Sequence, residues 1–98
     1  MRTRIVWTRQ AREDLRQIHA FIARDAPATA SSFVRSLRSA VERLSVFPRS
    51  GQVVPELNCE EIREILKGSY RVVYRVAESR IEILLIYHSA RLLKESDL

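Results

Sequence analysis

The chain has 98 residues, enough for one folded domain and too few for two. Its net charge of +5 predicts an acidic partner, either a phosphate backbone or an acidic protein segment. The single cysteine, Cys59, excludes an internal disulfide and a thiolate metal site, and no apolar run is long enough for a signal peptide or a membrane span. We therefore expect a cytosolic protein in which residues 1–98 form one domain.

The first half of the chain predicts one short strand and two amphipathic helices. Residues 2–7 are partly β-branched and aromatic, and Thr8 can cap a helix. A second helix begins near Pro27, which fits a first helical turn, and ends before Pro48 and Gly51. The apolar stripes consist of Ala11, Leu15, Ile18 and Ile22 in the first helix, and of Ala30, Phe33, Val34, Leu37, Ala40, Val41, Leu44 and Phe47 in the second.

The second half predicts a loop and three strands. The loop covers residues 52–60, and strands are expected at residues 62–66, 70–76 and 80–88. Strict alternation in the last strand places four apolar side chains on one face, namely Ile81, Ile83, Leu85 and Tyr87. The predicted fold is α+β with the order β-α-α-β-β-β, in which a helical hairpin packs on one face of a small antiparallel sheet.

Three side chains could form a reactive cluster on the sheet face that the helices leave uncovered. Arg71 and Arg75 share the same strand parity, and His88 can point the same way. Two arginines and a histidine could stabilise a developing phosphorane and protonate a leaving oxygen, which are the tasks of metal-free RNA cleavage. Glu56, in the preceding loop, is the candidate base.

The same residues also have structural interpretations. Arg71 can anchor a carboxylate or a backbone carbonyl, since buried arginine is usually paired. Glu56 and Glu64 can form ion pairs with Arg49 or Arg63. His88 can be a satisfied strand residue instead of a catalyst.

A series of short motifs lies between Pro48 and Arg91, namely P-R-S-G, V-P-E-L, I-R-E-I, Y-R-V-V-Y-R and I-Y-H-S-A-R. In this order, behind two helices, they resemble the ParE branch of the ParE/RelE superfamily of bacterial type II toxin-antitoxin toxins. Ser89 replaces the glycine of the more common H-G-x-R ending.

The resemblance to ParE implies a toxin that binds DNA gyrase, traps its cleaved DNA complex and arrests replication. It also implies a hetero-oligomer with a cognate antitoxin whose C-terminal segment wraps the toxin, and it requires no cofactor, metal or membrane. We assign Arg63, Arg75 and Arg91 to target or antitoxin binding on this basis.

A second interpretation is a ribosome-dependent mRNA interferase, with the ribosome and mRNA as partners. Glu56, Arg71 and His88 resemble three of the four catalytic positions in YoeB-like ribonucleases, but Ser89 stands where the fourth, a tyrosine, would be. The lysine-rich set of RelE-like members is also missing, since the only lysines are Lys67 and Lys94. A third interpretation is a decayed toxin or binding module without a present target.

Overall fold

The computed structural model describes residues 2–98, and it confirms the α+β fold with the helical hairpin on one face of the sheet. The N-terminal half contains β1 (Arg4–Trp7), α1 (Arg9–Ala23), α2 (Pro27–Glu42) and a 3-10 turn at Arg43–Ser45. The C-terminal half contains β2 (Gln52–Val53), β3 (Ile62–Lys67), β4 (Tyr70–Val76), β5 (Arg80–His88) and a 3-10 turn at Glu95–Asp97. Within residues 2–98, no helix combines the length and apolar character needed to cross a membrane.

Thr8 joins the start of α1 to the sheet. Its hydroxyl accepts a hydrogen bond from the Ala11 amide at 3.1 Å and lies 2.8 Å from the Ile83 carbonyl, to which it can donate. The side chain therefore satisfies one of the unpaired amides of the first helical turn and also ties that turn to β5. This confirms the predicted cap.

The second helix is shorter than its apolar stripe predicts. It ends at Glu42, where the chain tightens into the 3-10 turn. Phe47 lies beyond that turn and is 63% exposed, so its assignment to the buried stripe is wrong. The stripe residues Ala30, Leu37, Val41 and Leu44 are buried as expected.

The five strands form one sheet in the order β1-β5-β4-β3-β2. Neighbouring strands are antiparallel except for β1, which runs parallel to β5. The short β2 falls within the segment predicted as a loop, where Gln52 pairs with Glu64 and Val53 with Arg63. The predicted antiparallel arrangement therefore needs two corrections, a parallel first strand and an added edge strand.

A β-bulge in β5 changes which side chains face the helices. Val73 pairs with Leu85 but the next residue, Tyr74, pairs with Ile83, so Leu84 is one extra residue in β5. Because one inserted residue reverses the alternation, side chains after Leu84 point to the opposite face from that expected. The prediction of one continuous apolar face along this strand is wrong, since Ile83 and Leu85 lie on opposite faces.

Each face of the sheet carries its own apolar cluster. The face under the hairpin holds the larger cluster, which includes Leu37, Val41, Val72, Tyr74, Ile81, Ile83 and Ile86. The opposite face, called here the distal face, holds Val54, Ile62, Val73, Leu85, Tyr87 and Leu93. The loop after β2 and the segment after β5 supply Val54 and Leu93, so these two segments, and no helix of the hairpin, pack on the distal face.

Candidate functional site

Arg71 is the centre of a charge cluster on the distal face, in which Arg71 and Glu64 are buried and Glu56 is partly exposed. Its Nη1 and Nη2 each donate to one carboxylate oxygen of Glu56 at 2.8 Å, and its Nε donates to Glu64 at 2.6 Å. Nη1 also donates to the Arg91 carbonyl at 3.2 Å. Arg71 is only 7% exposed and Glu64 only 2%, so their charges balance each other away from bulk water.

The register of the β3-β4 hairpin brings Glu64 to Arg71. Leu66 pairs directly with Arg71, and Glu64, two positions earlier on β3, is therefore a diagonal neighbour on the same face. Gly68 allows the tight turn between the strands, since its φ of 57° lies in the left-handed region that favours glycine. Gln52 on β2 donates to the other Glu64 oxygen at 2.7 Å, which completes the contacts of this carboxylate.

Glu56 joins the cluster from the loop that follows β2. The amides of Leu57 and Asn58 both bond to the Val54 carbonyl, which closes a tight turn around Glu56. One Glu56 oxygen also accepts from the Leu93 amide at 2.9 Å, and the Leu93 side chain is buried. A single carboxylate thus connects the loop, β4 and the segment that follows β5.

The charge states of this cluster follow from its contacts. Hydrogen bonding by Arg71 lowers the pKa of Glu56 to about 2, and the same interaction raises the pKa of Arg71 further above its usual range. The Arg71 guanidinium lies 4.9 Å from the centre of the Tyr87 ring. Burial raises the pKa of Tyr87 to about 12, and within residues 2–98 its buried hydroxyl has no hydrogen-bond partner. At neutral pH, Glu56 and Arg71 are therefore charged and Tyr87 is neutral.

His88 does not join this cluster. It pairs with Tyr70 on β4, whereas Arg71 pairs with Tyr87, so His88 and Arg71 point to opposite faces of the sheet. The His88 ring packs edge-on against Tyr70 at 5.7 Å, and its Nδ1 accepts from the Ala90 amide at 3.1 Å. The predicted juxtaposition is therefore wrong for His88, because the bulge in β5 turns this residue toward the helical hairpin, whereas Arg71 and Arg75 share the distal face as expected.

The three arginines assigned to partner binding have different surroundings. Arg75 is on the distal face, 3.6 Å from Glu82, and its side chain is 45% exposed. Arg91 is also exposed, pairs with Asp97 at 2.9 Å and lies 5.7 Å from the Tyr87 ring centre. Arg63 is largely covered. Their roles in binding stay predictions.

Arg63 holds the segment before β3 in place. It donates to the carbonyls of Gly51 at 2.9 Å and Glu60 at 3.1 Å, and to the Glu60 carboxylate at 3.1 Å. The expectation that Glu56 and Glu64 pair with Arg49 or Arg63 is wrong, because both carboxylates contact Arg71. The structural interpretation of Arg71 as an anchor for a carboxylate and a carbonyl is confirmed.

Two members of the cluster, Glu64 and Tyr87, were not predicted. Glu64 lies between Ile62 and Leu66 on a short strand with an apolar distal face. A carboxylate at such a position requires a buried cation, and Arg71 is the basic residue that a tight β3-β4 hairpin brings to the same face. The I-R-E-I and Y-R-V-V-Y-R motifs together contained this signal.

Comparison with known proteins places this architecture in a family. The family model described as the ParE toxin of type II toxin-antitoxin system, parDE, matches residues 5–93. Toxin RelE2 of Caulobacter vibrioides is 32% identical over 89 residues, which span 90% of this chain and 97% of that protein. Protein Y4kP of Sinorhizobium fredii is also 32% identical, over 90 residues that cover 90% of each chain.

Two solved structures have the same fold. The chromosomal ParDE toxin-antitoxin system from P. aeruginosa contains a chain that superposes with a TM-score of 0.74 at 24% identity, covering 88% of this chain and 95% of its own. The RelBE2 toxin-antitoxin complex from Mycobacterium tuberculosis gives a TM-score of 0.61 at 22% identity, covering 90% of this chain and 99% of its own. Since the family model spans nearly all of the sequence, the chain belongs to the ParE toxin family of type II toxin-antitoxin systems.

Proposed function

We propose that this toxin acts in the cytoplasm by binding DNA gyrase and stabilising the enzyme's cleaved DNA complex, and that a cognate antitoxin neutralises it. The observation that carries this proposal is the arrangement of the residues that a nuclease would need, namely their contacts and the sheet faces on which they lie. Arg71 is fully engaged by Glu56 and Glu64, and His88 lies on the opposite face. The match to the ParE family model adds support for gyrase as the target.

The chemistry of Glu56 also favours a binding role. A general base works best when its pKa is near the operating pH, whereas the pKa of Glu56 is held at about 2. Both Glu56 oxygens already accept hydrogen bonds from Arg71, and one also accepts from Leu93. A carboxylate with these contacts is a structural anchor that shapes the distal face for a partner.

The test is a supercoiling reaction with purified gyrase, relaxed plasmid and increasing amounts of toxin. We expect loss of supercoiling, accumulation of linear plasmid after detergent and protease treatment, and protection by prior addition of the antitoxin. Normal supercoiling at saturating toxin would rule out the proposal. To test the assigned arginines, inhibition of supercoiling by Arg75→Ala/Arg91→Ala is compared with inhibition by Arg24→Ala/Arg35→Ala. The second variant removes the same charge from exposed positions elsewhere.

A second candidate function is ribosome-dependent cleavage of mRNA. It is favoured by the similarity to the toxin named RelE2 and by the contact between Glu56 and Arg71. Primer extension after translation in the presence of toxin would reveal codon-positioned cuts if this function is correct. His88→Ala is a suitable variant because His88 is exposed, and retained cleavage would exclude its predicted role.

A further inference from the structure

An apolar patch is exposed where the loop after the first 3-10 turn meets the turn between β4 and β5, and we call it the Phe47 patch. Phe47 is 63% exposed and Val46 is 48% exposed, although both side chains are large and apolar. They border a groove of about 600 Å³. The groove is lined by the apolar residues Val46, Phe47, Pro48, Val76 and Ala77, together with Arg49 and Glu78. The patch therefore combines an exposed aromatic ring with an apolar recess.

Hydrogen bonds hold the loop that carries Phe47 in place. The Phe47 amide donates to the Arg43 carbonyl at 3.0 Å, and the Phe47 carbonyl accepts from the Ser50 amide at 3.1 Å. The carbonyl of Pro48 accepts from the hydroxyl of the buried Tyr74 at 2.8 Å. Because the loop is already ordered, little backbone entropy would be lost when a partner covers the Phe47 ring.

The two charged side chains of the patch have opposite signs. The Arg49 side chain is 53% exposed, and its contact with Glu60 is long, at 3.7 Å. Within residues 2–98, Glu78 has no basic side chain at ion-pair distance. The patch is therefore neutral as a whole, in a chain whose net charge is +5, and it can pair with one further anion and one further cation.

These features favour a second copy of the same chain as the partner. Two copies with a net charge of +5 repel each other, so they approach most easily where the surface has no excess charge. Across a two-fold axis, the contacting surface must also be complementary to itself. The Phe47 patch meets this condition, since it contains a ring and a recess, and also a cation and an anion. Nucleic acid fits less well, because Glu78 would repel the phosphates that Arg49 attracts.

We propose that two copies of the toxin associate through the Phe47 patch about a two-fold axis. Phe47 of each copy enters the groove of the other copy, and Arg49 of each copy pairs with Glu78 of the other. Neither gyrase nor the antitoxin takes part in this contact, so the proposal goes beyond the proposed function and is independent of it.

The size of the patch indicates how strong the association is. Stable complexes of ordinary size bury about 800 Å² on each partner, whereas one large aromatic side chain supplies about 150 to 250 Å². An interface centred on one phenylalanine from each copy is therefore small. We expect a dissociation constant of about 10 to 100 µM.

The first test is sedimentation equilibrium of the purified toxin, at concentrations from about tenfold below to about tenfold above this constant. We expect an equilibrium between monomer and dimer. Phe47→Ser should weaken dimerisation by about tenfold or more, because each copy loses its main apolar contact. The matched control is Phe21→Ser on α1, where Phe21 is 64% exposed, and it should change dimerisation by less than about twofold. A toxin that stays monomeric throughout, or equal effects of the two substitutions, would overturn the proposal.

Exchange of the two charges tests the two-fold pairing. Arg49→Glu and Glu78→Arg each place like charges opposite one another, so each variant alone should dimerise about tenfold more weakly than the unmodified toxin. A mixture of the two variants should associate at least as strongly as the unmodified toxin, because both pairs then join opposite charges while the average net charge stays the same. If mixing does not restore association, the pairing is refuted.

The control for net charge uses Arg24→Glu and Asp25→Arg, which make the same charge changes at exposed positions just before α2. These positions are separated from the Phe47 patch by the length of this helix, about 24 Å for its 16 residues. Each control variant should change dimerisation by less than about threefold, and mixing them should give no gain over their average. A gain equal to that of the patch variants would show that net charge alone governs association, and would overturn the proposal.

The last measurement considers the antitoxin as the alternative occupant of the patch. Calorimetric titration should give the same antitoxin affinity, within about twofold, for the unmodified toxin and for Phe47→Ser, because the substituted ring lies in the contact between toxin copies. If Phe47→Ser weakens antitoxin binding and leaves dimerisation unchanged, the patch belongs to the antitoxin and the proposal is overturned. Since these assays contain no gyrase, their outcome does not depend on whether the toxin inhibits that enzyme.

Discussion

Replacing Arg71 by methionine should destabilise the protein strongly. The substitution leaves Glu64, which is 2% exposed, without its cation, and it also removes both hydrogen bonds to Glu56. Breaking a buried ion pair on one side typically costs about 3 to 5 kcal/mol. The whole stability of a protein of this size is about 5 to 15 kcal/mol, so a large part of it should be lost.

Urea unfolding followed by circular dichroism would measure this loss. With a slope of about 2 kcal/mol per M, the midpoint of Arg71→Met should fall by about 2 M. The matched control is Arg75→Met on the same strand, whose 45% exposed side chain contacts Glu82 at 3.6 Å and should contribute less than about 1 kcal/mol. The double variant Arg71→Met/Glu64→Leu should recover about half of the loss or more, because no carboxylate is then left fully buried without a partner. If Arg71→Met costs no more than Arg75→Met, the inference of a buried, mutually dependent charge cluster is incorrect.

Three further predictions concern other contacts. The pKa of Glu56 is lowered from 4.5 to about 2 in the folded state, so its stabilising contribution is complete above about pH 5 and is lost as the pH falls toward 2; Glu56→Gln should flatten this part of a plot of urea midpoint against pH. Tyr74→Phe should cost about 1 to 2 kcal/mol in thermal unfolding, because the hydroxyl donates to the Pro48 carbonyl at 2.8 Å and accepts from the Gly51 amide at 3.0 Å; an unchanged melting temperature would contradict this. Thr8→Ala should cost about 1 kcal/mol through loss of the helix cap, and Thr8→Ser should restore most of it in the same assay.

The order of the elements could be predicted because long apolar stripes and alternating strands are strong local signals. The orientation of the last part of β5 could not, since the bulge at Leu84 depends on how β5 pairs with β4, and no glycine or proline marks it. This one residue accounts for the misplacement of His88. The two-residue strand β2 was missed because it is too short to show alternation.

Only part of the candidate site could be predicted, again because the register between strands is not evident from the sequence. Glu56 and Arg71 were recognised from their motifs, and they do contact each other. Glu64 was expected to pair with Arg49 or Arg63, whereas the register of the β3-β4 hairpin brings it to Arg71. Partners across a hairpin become evident only when its register is known.

The parallel pairing of β1 with β5 has a consequence for how the toxin is made in the cell. Thr8 and Ile83, which join these strands, are 75 positions apart, so the edge of the sheet cannot form until residues near Ile83 have left the ribosome. Until that point the nascent chain contains the helical hairpin without the complete sheet, and we expect it to be inactive during most of its translation. The proposed neutralisation would therefore begin when the antitoxin meets the complete toxin after its release from the ribosome. The rate of that encounter would then matter as much as the strength of the toxin-antitoxin complex.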